Sequence, residues 1–311
     1  MSSSYLAGGL AGPRAAKAAR RRDERGARQF LKRTKDPSGN RPGWVTYTIL
    51  GLVMAVSAYP LYYSFLLGSS DPVSIAQNPI PSLIPEGKFF DNVGRVISSD
   101  IKFWQAAFNS VLAAGLTAIS VVFFSTLAGY SFSKLRFKGR GPLLVFVVAT
   151  MAVPTQLSVV PLFILMSKLG WTGRLEAIII PGLVTAFGVF WMTQYLETAL
   201  PYELIEAARV DGCSMIRAFW HVGFPAARPA ATMLGLFTFI GSWTAFFWPF
   251  IVLGSSNPTL PVAIQLLQAS YFKDYSLILA GVTVAALPLV VVFIFAGRQL
   301  VAGVMAGAVK G

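Results

Sequence analysis

Six stretches of this chain, each about 20 residues or longer, contain no Asp, Glu, Lys, Arg or His. Each is long enough to cross the hydrocarbon core of a bilayer as a helix. Lipid offers the backbone no hydrogen-bond partner, so a segment of this length satisfies its own backbone as an α-helix. The stretches lie at about 44–67, 104–133, 142–167, 177–196, 230–253 and 277–297. The sequence therefore predicts an all-α, polytopic membrane protein with six transmembrane helices.

The 26 Lys and Arg residues are unevenly divided between the ends of these stretches. If the N-terminus is cytoplasmic, 20 of them lie on the cytoplasmic side: eleven in residues 1–43, four in 134–140 (KLRFKGR), three in the loop 197–229 and two at the C-terminus. The outer loops hold the other six. Cytoplasmic loops are enriched in Lys and Arg, so both termini are predicted to be cytoplasmic.

Residues 1–43 are rich in Ala, Arg and Gly and contain few aromatic residues. Such a composition buries too little apolar surface to fold alone, so this segment is predicted to be a disordered basic tail. Residues 44–311 then form the transmembrane domain. Binding of the tail to anionic lipid or nucleic acid is an alternative, but a cytoplasmic topology signal explains its charge, and no nucleic-acid partner is predicted.

The sequence offers no catalytic or metal site. Ion-coupled transporters and proton relays place ionisable side chains within the membrane, and the six stretches contain none. No HExxH, GxSxG or GxxxxGK[ST] motif occurs, and Cys213 is the single cysteine. Catalysis, nucleotide binding and a thiolate metal cluster by this chain are therefore not expected, and we expect it to bind no cofactor itself.

The apolar stretches do carry uncharged hydrogen-bonding side chains, which pair between packed helices or line a path for a neutral, hydroxyl-rich solute. Polarity and depth indicate four residues as path candidates: Asn109, Gln156, Ser242 and Trp243. Helix packing and, for Trp243, an aromatic belt at the membrane interface are the alternative interpretations.

The loop 197–229 interrupts this apolar pattern with a short polar segment, PYELIEAARVDGCS at 201–214. Pro201 suits the first turn of a helix, and acidic residues such as Glu203 lie near the positive end of the helix dipole. Gly212 is predicted to end this helix with a positive φ. Ser214 is predicted to cap a second short helix.

The first of these helices has an apolar face formed by Leu204, Ala207 and Ala208, while Glu206 and Arg209 are spaced to pair on the other face. Small alanine side chains would let another backbone approach closely, which favours docking of a partner. Alanine is also the best helix former, so an ordinary helical connection remains the alternative. The second helix is predicted to end before the fifth span because Gly223, Pro225 and Pro229 follow it.

The same segment resembles the EAA loop of binding-protein-dependent ABC importers, whose pattern is E-A-A, three residues, G, nine residues and I-x-L-P. In this chain, Glu206, Ala207 and Ala208 are followed after three residues by Gly212, and the segment VGFP begins nine residues later at Val222. Val replaces Ile and Phe replaces Leu, and both changes keep the apolar character.

The resemblance extends beyond this loop. NSVLAAGLTAISVVFFSTLAGYSFSKLRFKGR, MAVPTQLSVVPLFILMSKLGWTG and the terminal GAVKG are similar to the smaller permease subunit of maltose-type carbohydrate importers, the MalG-like family. The resemblance implies the type I ABC importer permease fold, in a bacterial plasma (inner) membrane. It further implies transport of a sugar or oligosaccharide, with this chain forming half of the translocation path.

The resemblance also implies partners. They are a second homologous permease, two ATPase subunits that bind ATP and Mg²⁺, and an external or periplasmic sugar-binding protein, all in contact with membrane lipid. The residues implied to dock on the ATPase are Glu206, Ala207, Ala208, Asp211 and Gly212. A stand-alone secondary transporter or facilitator for a neutral polar solute is the alternative from another class.

Overall fold

A computed structural model describes residues 43–78, 80, 82–268 and 273–308, with side chains described up to residue 297. The predicted tail 1–43 lies outside the described residues except for Gly43. The described ranges contain helices and connecting turns but no strand, which confirms the predicted all-α class.

The α-helices are numbered here in chain order. They are α1 Trp44–Gly68, α2 Pro72–Gln77, α3 Phe89–Ser98, α4 Phe103–Lys134, α5 Arg140–Thr150, α6 Val159–Lys168, α7 Glu176–Ile179, α8 Ala186–Ala199, α9 Tyr202–Val210, α10 Met215–Ala218, α11 Phe224–Trp243, α12 Phe247–Leu253, α13 Leu260–Leu267 and α14 Tyr275–Ala308. Two 3₁₀ turns, Thr155–Ser158 and Ile180–Gly182, and one π-turn, Phe219–Gly223, join some of them.

Four helical segments among the described residues are each long and apolar enough to cross a membrane: Trp44–Gly68, Phe103–Lys134, Glu176–Ala199 and Tyr275–Gly297. The number rises to six if each of two bent helix pairs counts as one span. The chain is thus a multi-pass membrane protein, and six spans is the upper limit of what the structure supports.

The predicted third span, 142–167, is not one helix. α5 ends at Thr150, and the axis turns by 86° before the segment Thr155–Lys168. The residue before a proline is disfavoured in the α conformation, so Pro154 explains why the helix ends here. Pro154 itself has φ −60° and ψ 125°, outside the helical region.

The predicted fifth span, 230–253, is also bent. The helix Met215–Trp243 meets α12 at an angle of 54°. Pro249 falls in the first turn of α12, where its missing N–H removes no helical hydrogen bond. The sequence therefore predicts the position of this span but not its change of direction.

Within residues 61–297, the helix α4 packs against both α8 and α11. The buried residues that join these helices, called here the α4–α8–α11 core, include members of the segment after α8. They are Val121, Tyr130, Met192, Leu196, Leu200, Ile205, Phe219, Ala227, Ala230, Ala231 and Leu234. The core includes Ile205 of α9, and α9 carries the predicted docking residues Glu206, Ala207 and Ala208. The core therefore positions the candidate functional site.

A second buried cluster joins α3, the start of α4, α13 and α14. Near it, Arg95 Nη2 lies 2.6 Å from Asp274 Oδ2. Asp274 precedes α14, and its Oδ1 accepts hydrogen bonds from Ser276 Oγ at 2.5 Å and from Leu277 N at 3.1 Å. Burial alone raises the pKa of Asp274, but these hydrogen bonds and the Arg95 charge together lower that pKa below its ordinary value of 3.8.

This lowered pKa predicts a dependence of stability on pH. A carboxylate whose pKa is lowered in the folded state stabilises the fold above its unfolded pKa, and this contribution is lost as the pH falls through the lower folded value. We expect the melting temperature of the full chain in detergent to fall as the pH drops below about 4, the ordinary pKa of an Asp side chain. Asp274→Asn should remove part of that fall. An identical pH profile in the variant would contradict the role of Asp274.

Candidate functional site

The segment Tyr202–Ala218, called here the elbow, consists of α9, a corner at residues 211–214 and α10. The corner is a Schellman motif. Cys213 N donates to Ala208 O at 2.9 Å, Gly212 N donates to Arg209 O at 3.0 Å, and Gly212 has φ +81°. The predicted positive φ at Gly212 is therefore confirmed.

The second half of the elbow is fixed by its cap. Ser214 Oγ accepts a hydrogen bond from Arg217 N at 3.3 Å, so Ser214 caps α10 as predicted. Hydrogen bonds thus fix the backbone on both sides of the corner, between backbone groups at the end of α9 and to the Ser214 side chain at the start of α10.

The inner face of the elbow is built into the α4–α8–α11 core. Ile205 of α9 is fully buried, Phe219 directly after α10 is 3% exposed, and both contact this core. The rings of Phe219 and Tyr130 lie 5.4 Å apart in an edge-to-face arrangement. The elbow is therefore packed against the transmembrane helices α4 and α8 rather than attached only by the chain.

The outer face of the elbow is open. Glu206, Ala207, Asp211 and Gly212 are exposed, so four of the five predicted docking residues lie on one accessible surface. Apolar side chains accompany them: Leu204 is 50% exposed, Val210 88% and Ile216 74%. An exposed surface that mixes large apolar side chains with charged ones at a fixed corner is typical of a protein interaction site.

The fifth predicted docking residue requires a correction. Ala208 is 8% exposed and faces its own chain, because it shares the inner face of α9 with Ile205. The sequence predicted one apolar face from Leu204, Ala207 and Ala208, whereas the structure places Leu204 and Ala207 outside and Ala208 inside. The three-residue spacing of Ile205 and Ala208 is the signal that could have identified the buried face. The possible pair Glu206 and Arg209 forms no ion pair among the described residues.

The predicted helix end at Gly223, Pro225 and Pro229 is wrong. The backbone remains helical from Met215 to Trp243, passing from α10 through the π-turn into α11. Pro225 directly follows the π-turn, in which Phe224 N donates to Phe219 O five residues earlier. Gly223 serves close packing, because a Cβ at this position would lie 2.8 Å from Tyr130 Cδ2. The second half of the elbow, α10, and the first part of the fifth span are thus one continuous helical element.

Two of the four path candidates are buried in contacts within the chain. Asn109 is 5% exposed, and its Nδ2 donates to Asn257 Oδ1 at 2.7 Å and to Pro258 O at 2.9 Å. Trp243 is 4% exposed, and its Nε1 donates to Ala285 O at 3.1 Å. These hydrogen bonds join distant segments and favour the packing interpretation of Asn109 and Trp243, and a path role for these two residues stays a prediction.

The other two candidates are more accessible. Gln156 is exposed in the 3₁₀ turn between α5 and α6, and Ser242 is half-buried near the end of α11. The structure does not bring the four candidates together, and a role of Gln156 or Ser242 in a path remains a prediction. In the described part of the chain, no group of three or more His, Cys, Asp or Glu residues is placed to hold a metal ion.

Comparison with known proteins relates this arrangement to a family. Residues 121–302 match the model of binding-protein-dependent transport system inner membrane components. The chain is 30% identical over 270 residues to the arabinooligosaccharides transport system permease protein AraQ of Halalkalibacterium halodurans, covering 86% of this chain and 96% of that protein. It is also 30% identical to the lactose transport system permease protein LacG of Rhizobium radiobacter, with 86% and 97% covered.

The fold is found in a solved structure as well. A bacterial ABC transporter involved in the import of the acidic polysaccharide alginate contains a chain that matches with a TM-score of 0.69 and 23% identity, covering 82% of this chain and 95% of that one. This match confirms the predicted ABC importer permease fold. The match over residues 121–302, which include the elbow, shows that the chain belongs to the family of inner membrane components of binding-protein-dependent transport systems.

Proposed function

We propose that this chain is a permease subunit of an ATP-driven importer for a sugar or oligosaccharide and that the elbow is its coupling site. The observation that supports this most directly is the elbow itself. Its inner face is packed into the α4–α8–α11 core, while its outer face presents Glu206, Ala207, Asp211 and Gly212. A rigid link of this kind is what a transporter that depends on an external motor requires.

The motor in this proposal is a pair of ATPase subunits, which bind ATP and Mg²⁺ and hydrolyse the ATP. Each ATPase receives the elbow of one permease, so the complex also contains a second homologous permease that completes the translocation path. An external sugar-binding protein delivers the substrate. The elbow faces the cytoplasm in the N-in, C-in orientation that the charge distribution predicts.

Coupling follows from rigid-body movement. When nucleotide binding brings the two ATPases together, each pulls on the exposed face of an elbow. The movement passes through Ile205 and Phe219 to α4, α8 and α11, because these residues share one close-packed core. Displacement of packed helices as units is an established way to switch a protein between two states, here between cavities open to opposite sides of the membrane.

The names of the relatives support a sugar or sugar-like substrate. The proteins named above are permeases for arabinooligosaccharides and for lactose, and a further relative, 26% identical, is an sn-glycerol-3-phosphate transport system permease protein of Escherichia coli. These solutes share several hydroxyl or phosphate oxygens that uncharged polar side chains can bind. Labelled arabinooligosaccharides, lactose and sn-glycerol-3-phosphate are therefore the uptake panel that tests the substrate class.

Docking of the ATPase is tested at Glu206, which is exposed on the outer face of the elbow. We expect Glu206→Lys to weaken the co-purification of the ATPase, measured as Mg²⁺-dependent ATP hydrolysis in the tagged, purified complex. The physical reason is that reversal of a charge at an interface places like or unpaired charges against the partner, which costs several kcal/mol.

Two variants serve as controls for this test. Glu206→Gln removes the charge without reversing it and should have a smaller effect. Lys138→Glu makes a charge reversal of the same size outside the elbow, at an exposed position, and should leave co-purification unchanged. Normal ATPase recovery with Glu206→Lys would place Glu206 outside the docking surface.

A further inference from the structure

The basic loop Lys134–Arg140 (KLRFKGR) carries four cations and connects α4 to α5. A topology signal needs only positive charge on one side of the membrane, and it requires no specific contact of any one side chain. The structure gives the cations of this loop very different environments. Lys134 is 6% exposed, whereas Arg136 and Lys138 are exposed.

Lys134 reaches the end of the neighbouring helix. Its Nζ donates to Glu197 O at 3.4 Å. This carbonyl belongs to the last turn of α8, where backbone oxygens have no partner within the helix and carry the negative end of the helix dipole. A lysine is almost never buried unless it is paired, so this contact with the end of α8 accounts for the burial of Lys134.

Arg136 reaches the start of the elbow. Its guanidinium carbon lies 5.2 Å from the ring centroid of Tyr202, the first residue of α9, within the range of a cation–π interaction. Between the two cations, Leu135 is partly buried against the α4–α8–α11 core. Three successive residues of the loop therefore hold the end of α8, the core and the beginning of α9.

Arg140 contributes little to this arrangement. Its Nη2 lies 3.9 Å from Glu197 Oε1, and both side chains are partly exposed, so this pair is a weak surface ion pair. Lys138 makes no ion pair and no ring contact with any residue in the described part of the chain. The four cations thus divide into two with specific contacts to the α8–α9 junction, one with a weak contact and one with none.

We propose that the basic loop is a clamp on the junction between α8 and the elbow, and that Lys134 and Arg136 are positioning residues for coupling. The segment between α8 and α9 is only Leu200 and Pro201, and the clamp fixes the direction in which α9 leaves it. The elbow therefore turns together with α4 and α8 when it is pulled. The consequence for transport rests on the function proposed above, whereas the ordering of the elbow does not.

Cys213 provides a direct measurement of this ordering, because it is the only cysteine of the chain and lies in the elbow corner. A nitroxide spin label on Cys213 of the full chain in lipid nanodiscs reports the mobility of the elbow without any ATPase. We expect Arg136→Ala and Lys134→Met to increase the mobile fraction of the spectrum. Lys138→Ala removes the same charge from the same loop and should leave the spectrum unchanged.

In the assembled transporter, the clamp variants should change coupling. Arg136→Ala removes one cation–π contact. It should lower the amount of substrate from the uptake panel that is transported per ATP hydrolysed by about two- to five-fold. Arg136→Lys keeps the charge and should recover part of the ratio. Lys138→Ala should leave it unchanged. If Lys134→Met does not accumulate, the exposed Arg136 still provides the test.

Each outcome has a defined meaning. Equal label mobility in Arg136→Ala, Lys138→Ala and the unmodified chain would overturn the clamp. A mobile elbow with an unchanged transport-to-hydrolysis ratio would overturn the positioning role. A mobile elbow in Arg136→Ala, together with normal ATPase recovery in Glu206→Lys, would support the clamp and contradict the assigned docking surface.

Discussion

Replacing Gly212 with valine is expected to lower sugar uptake by about five-fold or more while the protein still inserts into the membrane. Gly212 has φ +81°, and both hydrogen bonds of the Schellman corner depend on this conformation. A β-branched residue is a genuine outlier there, and strain of this kind costs about 1–3 kcal/mol. About 1.4 kcal/mol corresponds to a factor of ten in a population, so this strain should lower the ratio of formed to unformed corner by about 5- to 150-fold.

The effect of Gly212→Val is one of backbone conformation and not of crowding, since a Cβ at this position meets no atom within 4 Å. This distinction supplies a matched control. Asn populates the left-handed region far more readily than other non-glycine residues, so Gly212→Asn should retain most of the uptake. Membrane abundance of both variants, measured on the tagged protein, should equal that of the unmodified chain. Equal uptake by the Val and Asn variants would contradict a role of the corner in coupling.

The elbow could be predicted from the sequence because its signals are local. The positive φ at Gly212 and the cap at Ser214 each depend on neighbours within four residues. The apolar spans were similarly predictable, because the absence of charge over about 20 residues is enough to indicate a membrane helix. The clamp residues were visible in the sequence only as charges. Their contacts join the end of α4 and the loop after it to residues more than 60 positions away.

Local signals mislead where contacts with distant segments decide the structure. Gly223 and Pro225 resemble a helix end, yet the Tyr130 ring packs against Gly223 and the π-turn carries the helix onward. Asn109 and Trp243 have the polarity of path residues, but their partners are the backbone oxygens of Pro258 and Ala285. No spacing within the sequence indicates that these oxygens are close by.

The contact between α4 and α8 carries the second large expected effect. A Cβ on Gly129 of α4 would lie 2.6 Å from Met192 Cβ, 2.7 Å from Met192 C and 2.8 Å from Thr193 N. Two of these atoms belong to the backbone of α8, so the helices themselves would have to separate. Small residues allow such close approach of membrane helices. Ser125, one turn before Gly129, is likewise fully buried against this helix at Gly188.

We therefore expect Gly129→Ala to lower the free energy of unfolding in mixed detergent micelles by about 1–3 kcal/mol, the usual cost of overpacking. Gly115 lies on the same helix, but a Cβ there meets nothing within 4 Å. Gly115→Ala should therefore be neutral or stabilising by up to about 1 kcal/mol, because alanine favours the helix over glycine. Opposite signs from the same substitution on one helix would separate packing from helix propensity.

Because α8 leads through Leu200 directly into the elbow, Gly129→Ala should also increase the mobility of a label on Cys213, and Gly115→Ala should not. Equal stability and equal label mobility in the two variants would mean that the α4–α8 contact neither holds the fold nor positions the elbow.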